Sequence, residues 1–210
     1  MNQPLWMPRR RIKVAFRRAL LNVAKGIIAH AEKASDPAAI SVALERLTQA
    51  PGFNHLSEAI AMKMVTGLFD DTGRTWREAA RNNSRGRDIY QALQKELLGG
   101  RGGCVRELVK ENAALIKTLP KNIADDVTAY AAREAMKGRR ASDIADEIRR
   151  MFPERTRARA ELIARTQVSM TQTNLVQARA EGLGLNWYIW RACGGKQGDG
   201  RTRNSHRHMS

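Results

Sequence analysis

The sequence predicts a mainly α protein: a helical N-terminal lobe, then a helical region leading into a small α+β module with a strand at about residues 185–192. Three observations predict it. Apolar residues recur at helical spacing along most of the chain, and proline and glycine mark the breaks between those stretches. After Gly184 the period changes, with Leu185, Trp187 and Ile189 alternating with Asn186, Tyr188 and Trp190. Four glycines within residues 99–103 read as a hinge, because the Lys-Ser/Thr pair of a phosphate loop is missing. The hinge separates a helical region at 1–98 from a second region at 104–210.

Each element has its own signal. Ile12, Phe16, Leu20, Val23 and Ile27 keep one stripe of a helix over about 9–33, and Arg10, Lys13 and Arg17 form a second stripe. Such a helix either packs as an ordinary surface element or presents cations to phosphate or lipid. Asp36-Pro37 caps a second helix that ends before Pro51-Gly52. A third buries Leu56, Ile60, Ala61, Met64, Val65 and Leu68, and residues 70–87 read as a connector with a small helix around Trp76. A further helix covers about Asp88 to Leu98.

Beyond the glycines, Val105, Leu108, Asn112, Leu115 and Leu119 space a helix that Pro120 is expected to end, followed by another from Asn122 to Met136 that stops at Gly138. Ser142 is the expected N-cap of the next, which buries Ile144, Ile148 and Phe152 and ends at Pro153. The longest helix is expected from Glu154 to Glu181, with Gly182 as its left-handed stop.

A chain of 210 residues with 42% apolar content can bury a core. Its net charge of +16 is unevenly placed, with a surplus of seven in residues 1–33, four in 137–165 and four in 191–210. Loading of this kind points to surfaces that meet phosphates, and Arg9, Arg10, Arg11, Lys13, Arg17, Arg155, Arg157 and Arg159 are the candidate nucleic-acid contacts. Cys104 and Cys193 have no CxxC partner, so neither a zinc site nor a disulfide framework is indicated, and a reducing cytosol fits best. No apolar run is long enough for a membrane span, and Arg17, Arg18 and Lys25 interrupt the first apolar stretch too soon for a secretory signal.

No paired carboxylates and no nucleophile with an identifiable base stand out, and His30 and His55 read as structural, so the chain is expected not to be an enzyme and to need no cofactor. His206 and His208 could ligate a metal on a strand, but nothing nearby completes a coordination set. Asp199, Arg201, Arg203 and His206 in a glycine-jointed loop could bind phosphate, order a turn or move protons, and read best as an ordering motif.

The order of these features is more specific than any one of them. An arginine-rich helix carrying Ile163-Ala164-Arg165-Thr166-Gln167, then Ala178 to Gly182, a strand with Trp187 and Trp190, and Asp199-x-Arg201-x-Arg203-x-x-His206 together resemble the phage Mu F-like family of head-morphogenesis, or minor capsid, proteins. Residues 109–120 and the helix start at 138–148 are similar to the region preceding that motif, so the resemblance covers about 104–210. Two departures stand out: Gln167 replaces the glutamate of a common Arg-Thr-Glu triplet, and the sequence stops at Ser210 where the family pattern continues, implying an incomplete module.

The resemblance implies a virion protein inside a phage head, assembled in the bacterial cytoplasm near the portal. Its implied partners are portal and head proteins, with double-stranded DNA held without sequence preference. Two other classes remain open from sequence. One is a nuclease or nucleic-acid-modifying phage toxin, and the other a basic helical DNA-binding regulator.

Overall fold

The computed structural model describes residues 7–34, 36–81, 83–96 and 101–185, which form six helices. These are α1 (Arg10–Ala31), α2 (Pro37–Gln49), α3 (Pro51–Arg81), α4 (Gly86–Lys95), α5 (Arg101–Met136) and α6 (Ala141–Gly182). The mainly helical expectation holds. The alternating stretch falls at residues 186–192, outside the described residues, apart from Leu185.

Side-chain pairs give the helix directions. Arg17 meets Glu161 while Arg149 reaches the carbonyl of Ala34, so α1 and α6 run antiparallel. Asn112 donates to Thr171, Arg159 to Asp126 and Arg139 to Glu147, which makes α5 and α6 an antiparallel hairpin. Arg9 on Asp71 and Ile12 beside Gly67 set α1 antiparallel to α3. The short α2 lies along α5, where the Ser41 hydroxyl bonds Thr128 and the Ala124 carbonyl. Four long helices thus form a bundle in which α1 packs chiefly on α6 and α3 chiefly on α5.

The core is the sum of the apolar stripes. Phe16, Leu20 and Ile27 of α1 meet Val65 and Leu68 of α3, Ile116, Leu119 and Ile123 of α5, and Ile148, Phe152, Val168 and Leu175 of α6. Residues from both sides of the glycine-rich stretch contribute to this one core. A second, smaller cluster holds α4 to the end of α3 through Trp76, Ala80, Ile89 and Leu93, with Val176 of α6 and Leu183 just after it alongside.

Several expected breaks are absent. Pro120 and Pro153 lie inside α5 and α6 rather than ending them. A proline within a helix costs roughly 3 kcal/mol. Ile116, Leu119, Ile123 and Val127, all buried, occupy one face on either side of Pro120. Each apolar side chain of this size gains about 1.5–3 kcal/mol on burial, so the tertiary gain outweighs the break. Phe152 and Thr156 are likewise both buried around Pro153, and the Thr156 hydroxyl donates to the Phe152 carbonyl at 2.8 Å.

Residues 70–81, expected in a connector, continue α3, and Arg101, Gly102 and Gly103, expected in the hinge, open α5. Gly73 gives no turn; a Cβ there would come within 3.2 Å of the Arg179 guanidinium, so the residue makes room for an arginine crossing from α6. In α3 the buried face is Phe53, Ser57, Ala61, Met64, Val65 and Leu68, which leaves Leu56 at 48% exposure instead of in the core.

Ser142 is not the cap of α6: Arg140 holds that position, with no side-chain bond, and Ser142 is already helical. Asp36 caps α2 as expected, accepting from the Ala39 N–H at 2.9 Å. The left-handed stop of α6 is Gly184 (φ 68) and not Gly182. There the N–H of Leu185 donates to the Ala180 carbonyl, a wrap that needs the positive φ only glycine adopts cheaply. Gly138 (φ 76) closes α5 in the same way, with Arg139 N–H on the Glu134 carbonyl.

Candidate nucleic-acid interface

The antiparallel pairing of α1 and α6 brings together cations that are remote in sequence. Lys13 and Arg17 of α1 face Arg165, Glu161 and Ser169 of α6 across a cleft of about 570 Å³, lined also by Ala158, Leu162, Ala164 and Val168, of which only Ala164 and Val168 are buried. Arg17 and Glu161 form an ion pair across it, with side chains 58% and 45% exposed, so both heads remain in water. Among the described residues Lys13 and Arg165 form no ion pair. Arg10 is exposed on the same stripe of α1 as Lys13 and Arg17.

The other candidates divide. Arg11 is exposed at the rim of a groove of about 660 Å³ between α1 and α3, whose walls are mainly apolar. That groove is larger than the α1/α6 cleft, but its charged rim of Arg11, Lys63 and Asp70 is nearly balanced, so phosphate is better matched to the smaller cleft. Arg157 is exposed on α6, and Arg159, also exposed, bonds Asp126 of α5 at 3.3 Å. Arg155 lies beside Asp126 and Tyr130 on the α5 side, away from Lys13 and Arg17. Thr166 is exposed and its hydroxyl donates to the Leu162 carbonyl of its own helix at 2.8 Å. Trp190, Asp199, Arg201, Arg203 and His206 lie outside the described residues.

Arg9 has a structural role. Its backbone N–H and guanidinium both bond the Asp71 carboxylate, at 3.1 and 3.0 Å, and Arg74 bonds the same group at 3.2 Å. A buried carboxylate of α3 thereby caps the positive end of α1.

Sequence reading missed Arg179 altogether. Its side chain is buried, donating to Glu96 through Nε at 2.6 Å and Nη2 at 3.0 Å, to the Phe69 carbonyl at 3.0 Å, and to the Thr72 hydroxyl. The guanidinium also stacks over the Phe69 ring, 4.4 Å from its centroid. A fork of five donors suits this task where a lysine would not. The signal was present: Arg179 follows Leu175 by four residues, on the buried stripe of α6, where a charge demands a partner. The cluster fixes the ends of α4 and α6 to the second half of α3.

A second charged network locks the α5–α6 turn. Glu134 accepts from Lys137 at 2.7 Å and from Arg139 at 3.0 Å, and Glu147 accepts from Arg139 and lies within reach of the Tyr130 hydroxyl. The bonds from Lys137 and then Arg139 hold Glu134 below the usual carboxylate range, and the bond from Arg139 does the same for Glu147. Burial pushes the Cys104 thiol above its ordinary value, with the Glu111 carboxylate adding to the shift. Among the described residues no group of three or more His, Cys, Asp or Glu is placed to hold a metal ion, and no helix is long and apolar enough to cross a membrane.

No family model, curated protein or solved structure matches the chain.

Proposed function

We propose that the protein is a structural minor capsid protein of a tailed bacteriophage head, acting near the portal in head morphogenesis and in DNA packaging or delivery. In this reading it touches DNA by the backbone alone and performs no chemistry on it. The observation that carries the DNA contact is the convergence, on one accessible face, of Lys13 and Arg17 with Arg165, from helices whose facing residues are 144 positions apart. DNA inside a head is a dense polyanion, and exposed cations on a rigid helix pair meet phosphates without reading bases. The head role itself rests on the order of motifs in residues 104–210 and on their resemblance to the Mu F-like pattern.

The DNA contact is tested by fluorescence anisotropy with a labelled duplex of random sequence. If Arg10, Lys13, Arg17 and Arg165 each neutralise one phosphate, log K falls against log salt with a slope of about −3.6, roughly a hundredfold between about 50 and 200 mM. Affinity indifferent to salt, or absent at low salt, overturns the contact. The duplex is expected to survive incubation with magnesium intact; cleavage would favour the nuclease reading. For the head role, mass spectrometry of purified particles from the phage that encodes the chain should find it with the portal in the head fraction. Its absence there overturns that role.

A further inference from the structure

A carboxylate has no obvious place in a phosphate-binding cleft, yet Glu161 stands in this one. It does not stabilise the fold in any way the surroundings require: it is exposed, and its partner Arg17 is exposed as well. Exposed ion pairs of this kind contribute little, because both heads keep most of their hydration and two long side chains must be held in one geometry. Around the pair, Lys13 and Arg165 leave the cleft with three cations against one anion.

We propose that Glu161 is a resident competitor for the phosphate at Arg17, so that a DNA phosphodiester enters the α1/α6 cleft by exchange. This rests on the DNA contact proposed above. In free protein Glu161 holds Arg17 across the cleft. When a backbone phosphate arrives between Lys13 and Arg165, Arg17 swings to it and Glu161 turns to water, which its exposure allows. No bond is made or broken other than hydrogen bonds and ion pairs. The consequence is a weaker and more reversible grip than three unopposed cations would give. Such a grip suits a protein that must hold DNA without fixing its register.

The test is a double-mutant cycle on duplex affinity at fixed low salt, using the full chain. Glu161→Gln keeps the shape of the side chain and removes its charge. Freeing Arg17 from an exposed pair is expected to raise affinity about two- to fivefold. The same charge change at Glu45, exposed on α2, controls for net charge and is expected to have less than half that effect. In an Arg17→Gln background the gain from Glu161→Gln should disappear, since nothing is left to release.

An unchanged affinity for Glu161→Gln overturns the exchange. So does an equal gain with and without Arg17, which would mean that Glu161 only repels phosphate. If the parent protein and every variant fail to bind DNA, the DNA contact itself fails, a result distinct from either. Circular dichroism melting curves of the five proteins, expected to agree because the substituted side chains are exposed, separate these outcomes from misfolding.

Discussion

Replacing Arg179 by methionine is the most informative perturbation of the fold. Methionine is long and flexible enough to occupy much of the same space but provides neither charge nor donors. The change strips Glu96 of its two guanidinium bonds, at 2.6 and 3.0 Å, while leaving a carboxylate that is only 7% exposed. It also takes one donor from the Phe69 carbonyl and one from the Thr72 hydroxyl. Removing one partner of a buried pair typically costs about 3–5 kcal/mol, because the remaining charge is left in a poor solvent for it. For a chain of this length each kcal/mol lowers Tm by about 2–4 °C, so the midpoint should fall by about 6–20 °C.

The assay is urea and thermal unfolding followed by circular dichroism, with Glu96→Leu/Arg179→Met alongside. Because desolvating both charges offsets most of their attraction, the double variant should recover at least about 2 kcal/mol relative to Arg179→Met alone. A single-variant loss below about 1 kcal/mol would refute the argument. Strict additivity of Glu96→Leu and Arg179→Met would refute it too.

Further outcomes follow from neighbouring features. Gly73→Val should destabilise the protein by about 1–3 kcal/mol despite leaving a helix intact, because the guanidinium it would displace is pinned by Glu96, Phe69 and Thr72; chemical denaturation measures this. The carboxyls of Glu134 and Glu147 sit below their ordinary range in the folded state, so their stabilisation is complete above the unfolded-state value near pH 4.5 and is lost as pH falls through the folded values. Melting temperature should therefore drop on acidification below about pH 4.5, and Arg139→Gln should lower Tm at neutral pH while flattening that drop. An acid profile identical to the parent's would remove Arg139 from the network.

How much of this was legible in sequence differs from one element to the next. The stripe of Ile12, Phe16, Leu20, Val23 and Ile27 and the Asp36 cap are local signals, set by helical period and by one side chain bonding its own backbone, and both appear as read. Pro120 and Pro153 carry strong local signals for a break and Gly73 a weaker one, yet all three lie inside helices. A local signal of about 3 kcal/mol loses when buried residues on both sides, such as Leu119 and Ile123, gain more by staying in line.

For the candidate site, sequence identified the cations of 9–17 and 155–165 but not their separate roles. Arg9 and Lys13 look alike in a charge count. Only the packing of α3 against α1 ties Arg9 to Asp71, and only the pairing of α1 with α6 sets Lys13 and Arg17 opposite Arg165 and Glu161.

The sequence by itself thus determined that the chain would be helical, which residues would face inward along most of its stripes, and that its charge would gather at a few places. Those properties depend on neighbours within a turn or two. Tertiary structure alone decided which breaks were overridden, which arginine was buried and which cations share a cleft. The buried arginine, the shared cleft and the anchoring of Arg9 depend on residues more than 60 positions apart, as Arg179 with Glu96, Arg17 with Glu161 and Arg9 with Asp71 show, and helical period carries no information about such pairs.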